Sequence, residues 1–339
     1  MKGFFDCLKT SFVIIGTMIG AGFLSGREVY QFFYGTDILF SAISIFILML
    51  FGKFFLLSVN FQSTSRIFKP IIVISYLCNL FIMAGMLSCI STIFALITTN
   101  KIVITILTIL VLGFSNLIQF RGANGLKSVN TVLVPIIIVT IILVILLSGE
   151  PNYVKNGRIL PIKTISYAGL NIFLSFPILI SLGKNKTKTA NFFVAFVSSA
   201  VLAILILLIF ITLNGSDNKC LYADIPLAVI IGDNYVILTI YYIVLVFGVL
   251  TTLLGAHYSV YNILDNSSIG LIYKIALSVT AFLISQLSFL SIVAYIYPII
   301  GVIGGVLILI LAVEQFFFPK KRPKNTLCQP TDTKSPYRS

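Results

Sequence analysis

The feature that most constrains this chain is a series of apolar runs, each about 20 residues long, separated by short polar segments. A helix rises about 1.5 Å per residue, so a run of this length can cross a hydrocarbon core about 30 Å thick. Hydrophobic residues make up 58% of the 339-residue sequence and charged residues 10%, against roughly 25% charged residues in an average soluble domain. The runs also lack the alternation of a membrane β-barrel. The sequence therefore predicts an all-α transmembrane protein embedded in a lipid bilayer.

Ten runs predict ten membrane-spanning helices. Their predicted bounds are 8–34, 37–59, 70–98, 101–118, 129–148, 164–182, 189–213, 234–263, 270–287 and 289–317. Together they form one predicted transmembrane domain, residues 1–318. The segment 319–339 is polar, basic and contains proline, which predicts a disordered cytoplasmic tail.

The charged residues predict how the chain lies in the membrane. Lys and Arg outnumber Asp and Glu by 23 to 10, and most basic residues fall on one side when both termini are placed in the cytoplasm. Lys53, Lys127 and Lys186 belong to that cytoplasmic set. We expect a multi-pass protein of a cytoplasmic (plasma) membrane, without a nucleic-acid partner. Because the sequence has no Trp, the expected anchors at the membrane interface are tyrosines. They are Tyr30, Tyr34, Tyr153, Tyr235 and Tyr297.

The spans divide into two halves, 8–148 and 164–317, of five spans each. An odd number of spans reverses the direction in which the second half crosses the membrane, which predicts a 5+5 inverted repeat. The first span of each half contains a helix-breaking sequence, Gly20-Ala21-Gly22 in one and Ser175-Phe176-Pro177 in the other. Because unpaired backbone groups are costly at this depth, such breaks indicate a ligand cavity. Close helix packing through Gly and Ala is the alternative.

The stretch from Gly16 to Glu28, GTMIGAGFLSGRE, resembles the first-helix glycine motif of the amino acid-polyamine-organocation (APC) transporter superfamily. It is most similar to the uncharacterised YkvI-like bacterial membrane proteins, whose Gly-x-Glu is matched by Gly26 and Glu28. The resemblance extends over nearly the whole chain in number of spans, although its specific motifs are short. It implies a LeuT-like fold with helices 1 and 6 broken, and it does not identify a substrate.

The predicted substrate-binding residues lie at the two breaks. They are Gly20, Ala21, Gly22, Asn171, Phe173, Ser175 and Phe176. Free N–H groups after the first break would suit a carboxylate, helped by the helix dipole. The resemblance makes Phe173 the match to an aromatic residue that closes over substrate, although an aromatic side chain here can also serve packing alone. Asn171 would contact substrate or bond a neighbouring helix.

Glu28 is the ionisable residue that most strongly suggests function, since a carboxylate within a span is costly. It could pair with a substrate amine, carry a coupling proton, or form an outer gate with Arg27. Adjacent helical residues do not face each other, so Arg27 is not its obvious partner. The alternative is that both side chains extend to the membrane interface.

A sodium site is predicted where spans one and eight meet. Gly248-x-x-Thr251-Thr252 resembles the pattern by which LeuT-fold sodium symporters offer a carbonyl and two hydroxyls, and the first-helix carbonyls would come from Gly16 and Ile19. Oxygen ligands of this kind suit a hard cation. The fifth span lacks the lysine that proton-driven relatives place there. Alternatively, the threonines bond their own preceding turn.

Other reactive residues indicate no catalytic centre. His257 is the only histidine, which excludes a multi-histidine metal centre and favours a structural role. The five cysteines lack CxxC spacing, so we expect neither a disulfide nor a metal site. No nucleophile elbow or phosphate loop is present, so we expect no enzyme and no cofactor beyond a possible sodium ion.

These features predict a secondary transporter of a small zwitterionic solute, foremost an amino acid or an amine, that works by alternating access. A membrane receptor component that senses solute through the same cavity is the alternative. Proton-coupled transport through Glu28 is a further one. The sequence does not indicate an oligomeric state.

Overall fold

The computed structural model describes residues 2–59, 68–119, 121–147, 157–184, 186–214, 222–261 and 268–317. The predicted tail 319–339 and Tyr153 lie outside these ranges, as do Cys220 and Cys328. The described chain is almost entirely helical. It contains no β-strand, only an isolated bridge between Thr36 and Arg158.

Fifteen α-helices and one π-helix form the described part of the chain. Their bounds are α1 Lys2–Met18, α2 Ala21–Leu24, α3 Arg27–Phe33, α4 Ile38–Ser58, α5 Phe68–Ala95, α6 Lys101–Gln119, α7 Gly122–Leu147, α8 Pro161–Leu174, α9 Phe176–Gly183, α10 Lys188–Asn214, α11 Pro226–Ile231, α12 Tyr235–Tyr261, α13 Ser268–Ile284, α14 Phe289–Ser291, the π-helix Ile292–Ile296 and α15 Tyr297–Phe317.

Helices occupy all ten predicted runs, but they differ in length. Within the described ranges, seven helical stretches are long and apolar enough to cross a membrane, and the bent pair α8–α9 makes an eighth. The helices α1 and α13 are each 17 residues long, at the short end of the range for a membrane-spanning helix. The chain is therefore a multi-pass helical membrane protein. Ten complete spans in a 5+5 inverted repeat stay a prediction.

The first predicted span is broken twice. α1 ends at Met18, and α2 begins at Ala21 after two non-helical residues, so the break lies just before Ala21 and Gly22, which are helical. A second break, which the sequence did not indicate, separates α2 from α3. Gly26 there has φ of 78°, a left-handed conformation that favours glycine.

The sixth predicted span is broken at Ser175, as its sequence indicated. The axes of α8 and α9 differ by 56°. Pro177 is the second residue of α9, where the N–H that it lacks would have no helical acceptor. The Ser175 hydroxyl donates to the carbonyl of Asn171 at 2.8 Å. The Ser175 hydroxyl is therefore satisfied by its own helix.

Small residues allow the broken helices to pack closely on their neighbours. A Cβ added to Gly169 of α8 would lie 2.7 Å from the amide nitrogen of Gly305, and one added to Gly304 would lie 2.6 Å from Cβ of Phe173. α8 and α15 therefore touch through backbone, as small residues permit in membrane helices. Most of the largest fully buried side chains belong to the two broken spans, so the protein core is centred on them.

Different segments close the two ends of the bundle. At one end, Asp6 of α1 forms ion pairs with Lys186 and with Lys127, the latter at 3.6 Å. At the other, the Arg158 N–H donates to the Gly35 carbonyl at 2.9 Å, and the Asp37 N–H donates to the Arg158 carbonyl at 3.0 Å. The prediction that Lys127 and Lys186 lie on one side agrees with this arrangement.

Three residues from the predicted cytoplasmic and interface sets are buried. Lys53, predicted among the cytoplasmic charges, is fully buried and donates to the Ser198 hydroxyl at 3.3 Å. Tyr30 and Tyr297, predicted as interface anchors, are 8% and 1% exposed. The interface-anchor prediction was wrong for Tyr30 and Tyr297, because it used their position along the span and could not identify the face of the helix on which they lie. The side of the membrane on which Lys53 lies stays a prediction.

The ion pairs of Asp6 predict a stability that depends on pH. The hydrogen bond from Lys186 lowers the pKa of Asp6 below its ordinary value of 3.8. A carboxylate with a lowered folded-state pKa stabilises the protein above the ordinary value and loses that contribution as the pH falls through the lowered one. We expect Asp6→Asn to have a slightly lower melting temperature in detergent at neutral pH, because Asp6 is half exposed and such pairs are weak. The difference should vanish in strong acid.

The matched control is Asp37→Asn, because asparagine can replace Asp37 as the N-cap of α4. Added salt should narrow the Asp6→Asn difference, since salt screens exposed ion pairs. A difference that persists both in acid and in high salt would contradict an ionic origin.

Candidate functional site

A small cavity lies between the two broken spans, α5, α12 and α15. Its polar lining residues are Thr17, Glu28, Asn171, Thr252 and Tyr297. The backbone of Gly20 and the apolar side chains of Met18, Ile82, Met86, Leu170 and Leu174 complete it. About 20 Å³ of the cavity is open to the centre of a water molecule, which is room for about one water. The cavity thus unites residues from the predicted substrate, gate and sodium groups.

Glu28 is the charged residue of this lining. It lies in the first turn of α3, where its charge is favourable to the helix dipole. The side chain is 5% exposed, and no described cation lies within ion-pair distance of it. Glu28 is therefore a buried carboxylate facing the cavity, and it does not extend to the membrane interface.

Gly22 makes room for Glu28. A Cβ added to Gly22 would lie 2.7 Å from Cγ of Glu28 and closer still to its carboxylate. Any side chain at position 22 would displace the Glu28 side chain or move α2. Gly22 therefore shapes the site through space, and its neighbour Ala21 donates its N–H to the Met86 sulfur at 3.4 Å. The proposed carboxylate-binding role of these amides stays a prediction.

Arg27 lies outside the cavity lining. It is 6% exposed, and the charged or polar groups that act on it electrostatically are Tyr30 and Asp224, not Glu28. This agrees with the expectation that neighbouring helical residues do not pair. The α11 segment covers the adjacent break, where the Leu227 N–H donates to the Ser25 carbonyl at 3.0 Å. A gating role of Arg27 stays a prediction.

Three neutral polar residues of the lining, Thr17, Thr252 and Asn171, use donor hydrogens within the protein. Thr17 and Thr252 donate their hydroxyl hydrogens to backbone carbonyls of α1, at 2.9 and 3.0 Å. Asn171 donates an amide hydrogen to the carbonyl one turn earlier, at 3.0 Å. A hydroxyl has one donor hydrogen and two acceptor sites, so the threonine oxygens remain able to accept. Together with the Glu28 carboxylate, this lining suits a ligand group that donates hydrogen bonds.

The residues of the predicted sodium site come together beside the cavity. Thr252 donates to the Gly16 carbonyl across the interface between α12 and α1. A Cβ added to Gly248 would lie 3.3 Å from the carbonyl oxygen of Ile19. Thr251 instead donates to the Gly248 carbonyl of its own helix at 3.0 Å, as threonines in membrane helices often do. Sodium binding itself stays a prediction.

The aromatic residues at the second break do not line the cavity. Phe173 packs against Gly304 of α15, and its ring centroid lies 6.2 Å from that of Phe176. Phe176 also packs against Phe68, at 6.0 Å. Both side chains are fully buried, as Ser175 nearly is, while Asn171 of the same helix reaches the cavity. The geometry gives the substrate-closing role of Phe173 no support, and it stays a prediction.

Tyr297 and Met86 belong to the site, although the sequence did not mark them. Tyr297 follows the π-helix at the start of a long apolar run, and Met86 lies within another. Neither position carries a local signal. His257 is buried away from the cavity, with Nδ1 3.2 Å from the Ser115 hydroxyl. The described residues contain no group of three His, Cys, Asp or Glu side chains that could hold a metal ion.

The contact between Gly22 and Glu28 predicts a specific pattern of stability. Gly22→Ala should lower the free energy of unfolding by about 1–3 kcal/mol, the usual effect of overpacking, as measured by thermal melting in detergent. Gly113→Ala is the matched control, because a Cβ there meets nothing within 4 Å. If Glu28 is the obstacle, Glu28→Ala should relieve the effect in the double variant, a non-additive result. Equal melting temperatures for Gly22→Ala and Gly113→Ala would contradict the prediction.

Comparisons with known proteins agree with a membrane protein. No protein-family model matches the sequence. The chain is similar to "Uncharacterized membrane protein YkvI" of Bacillus subtilis (strain 168), with 26% identity over 330 residues, covering 87% of this chain and 92% of that protein. It is also similar to "Uncharacterized protein YyaD" of the same strain, with 22% identity over 329 residues, covering 90% of this chain and 95% of that protein.

The crystal structure of an Eremococcus coleocola manganese transporter, in complex with an aromatic bis-isothiourea substituted compound, matches with a TM-score of 0.46 and 13% identity, over 92% of this chain and 72% of that one. The similarity to YkvI agrees with the resemblance noted around Gly26 and Glu28, while membership of the APC superfamily stays a prediction.

Proposed function

We propose that this protein is a secondary transporter of a small solute with a protonated amino group, foremost a zwitterionic amino acid. The observation that carries the proposal is the Glu28 carboxylate, buried at the junction of two broken spans without a described cation in ion-pair distance. An uncompensated buried charge costs several kcal/mol. A cationic group of the solute would offset that cost each time it binds.

The rest of the lining supports an amino group as the part of the solute that is recognised. An ammonium group has three hydrogen-bond donors and no acceptor. The hydroxyls of Thr17 and Thr252 have donated their hydrogens elsewhere and can accept, as can the carboxylate of Glu28. A solute carboxylate would meet repulsion from Glu28 at this end of the cavity, so it would bind away from that residue.

Alternating access fits the closed conformation of the site. The cavity has room for about one water, so an amino acid can enter only when the surrounding helices separate. The breaks at Gly20 and Ser175 divide two spans into half-helices, which are the parts that move in transporters with broken helices. The end near Asp6 and the end near Arg158 are closed by different contacts and can therefore open separately.

Two kinds of coupling remain candidates. Sodium is favoured by the meeting of Gly16, Ile19, Gly248 and Thr252, whose oxygens suit a hard cation, and Thr252 also lines the cavity that contains Glu28. Proton coupling would use Glu28 itself. We further propose that the protein lies in a bacterial plasma membrane with both termini in the cytoplasm and catalyses no reaction.

The first functional test is uptake of labelled amino acids into proteoliposomes. Wild-type protein should accumulate a solute, and Glu28→Gln should lower the apparent affinity roughly tenfold or more, because a hydrogen bond to a charged group is worth about 1.5–3 kcal/mol. Glu314→Gln, near the far end of α15, is the matched control and should behave as wild type. Binding without accumulation would identify a sensor, the alternative function. Unchanged affinity in Glu28→Gln would show that the carboxylate takes no part in solute recognition.

The second functional test separates sodium from proton coupling. If sodium drives uptake, replacing it with choline should abolish accumulation, and Thr252→Val should remove the sodium dependence because it removes a ligand hydroxyl while keeping the shape. Thr251→Val should have a weaker effect, since Thr251 bonds its own helix. Sodium-independent uptake by the wild type would exclude sodium coupling and leave transport intact. If the pH dependence of uptake were then weaker in Glu28→Gln than in the wild type, that result would support proton coupling.

A further inference from the structure

The hydroxyl of Tyr297 is the most conspicuous unused polar group of the cavity. The residue is 1% exposed, and its hydroxyl has no hydrogen-bond partner among the described residues. Buried tyrosine hydroxyls usually find a partner, and leaving one unsatisfied has a cost. Because Tyr297 lines the same cavity as Glu28, the missing partner would be a molecule that enters that cavity.

This hydroxyl is held in place by irregular backbone on one side and by the space beside a glycine on the other. The π-helix Ile292–Ile296 ends directly before Tyr297, whose N–H donates to the Ile292 carbonyl. Such wide turns are rare and frequent at functional sites. On the opposite side, a Cβ added to Gly85 of α5 would lie 3.1 Å from the Tyr297 hydroxyl. A side chain at position 85 would therefore press on the Tyr297 hydroxyl, which would have to shift by a few tenths of an ångström.

A direct contact links this backbone to the helix that carries Glu28. The Gln31 side-chain amide, on the turn of α3 after Glu28, donates to the Ala294 carbonyl of the π-helix at 3.4 Å. The Glu28 carboxylate and the Tyr297 phenol line the same cavity. The two side chains thus reach one cavity from elements that are held together.

We propose that Tyr297 determines solute specificity by accepting a hydrogen bond from the amino group that Glu28 binds, an inference that rests on the proposed transport function. Glu28 attracts any cation, whereas a hydroxyl oxygen at a second point requires a second N–H. A primary ammonium group provides it. A quaternary ammonium group has the same charge and no N–H. The pair therefore selects protonated amines that retain their hydrogens over fully N-methylated ones.

Tyr297→Phe tests the proposal, since it removes the hydroxyl and keeps the ring. The probes are the proteinogenic L-amino acids and methylammonium, each compared with its N-trimethylated form where one is available, by binding and by proteoliposome uptake. Affinity for the primary amines that bind the wild type should fall roughly tenfold, and preference over the trimethylated forms should narrow. Without solute, the variant should melt at the same temperature as wild type or higher, because an unsatisfied buried hydroxyl has been removed.

Tyr258→Phe is the matched control, since the Tyr258 hydroxyl lies 2.7 Å from that of Ser181 and outside the cavity lining. It should lower the melting temperature and leave affinity unchanged. Gly85→Ala is a second test variant, because it crowds the Tyr297 hydroxyl and keeps the phenol. It should weaken the binding of these solutes, and the order of its effects on their affinities should match the order seen in Tyr297→Phe.

The outcomes separate this proposal from the function on which it rests. If no probe binds or accumulates in the wild type, the proposed function fails and this inference fails with it. If Tyr297→Phe binds primary amines and discriminates against trimethylated ones as the wild type does, transport stands and the role of Tyr297 is overturned. A loss of melting temperature equal to that of Tyr258→Phe, measured without solute, would also overturn it, because the hydroxyl would then have a structural partner.

Discussion

The contact between Glu28 and Gly22 depends on how the first span is broken. In an uninterrupted helix, residues six apart lie about 240° apart around the axis and about 9 Å apart along it, so these two could not touch. The second break, where Gly26 adopts φ of 78°, turns the chain so that α3 brings Glu28 back onto α2. A carboxylate thus reaches the cavity from the same span whose first break opens it. The cavity and the carboxylate that lines it therefore depend on the two breaks of one span.

Local chemistry explains why part of the fold and part of the candidate site were predictable from the sequence. Apolar length identifies membrane helices, Ser175-Phe176-Pro177 marks a helix break, and an acidic residue within a span is rare enough to single out Glu28. The function of Gly22 was not predictable, because room for a side chain six residues away depends on a turn that only one positive φ creates. The sequence contains Gly26 but does not state its backbone angles.

The failures of the sequence-based predictions have a common cause. Tyr297 and Lys53 lie within apolar runs, and which face of a helix they occupy depends on neighbours distant in sequence, Gly85 for one and Ser198 for the other. Phe173 shows the opposite case, since it lies at a break but faces α15 through Gly304. The position of a residue along a membrane span can be read from the local sequence. The direction in which its side chain points around the helix axis is decided by packing against other helices, which small residues allow to approach closely.

A binding site and a stable apo protein make opposite demands on the same polar groups. Thr17 and Thr252 donate their hydroxyl hydrogens, and Asn171 one amide hydrogen, to carbonyls of the protein, which leaves the hydroxyl oxygens of the cavity able to accept. Glu28 and Tyr297 do the reverse, since Glu28 is buried with no described cation in ion-pair distance and the buried Tyr297 hydroxyl has no hydrogen-bond partner among the described residues. Unsatisfied groups lower stability, and functional sites are where proteins commonly retain such a cost. Within one cavity, the satisfied residues define its shape and the unsatisfied ones define what should bind, which is why the assignment of solute chemistry rests on Glu28 and Tyr297.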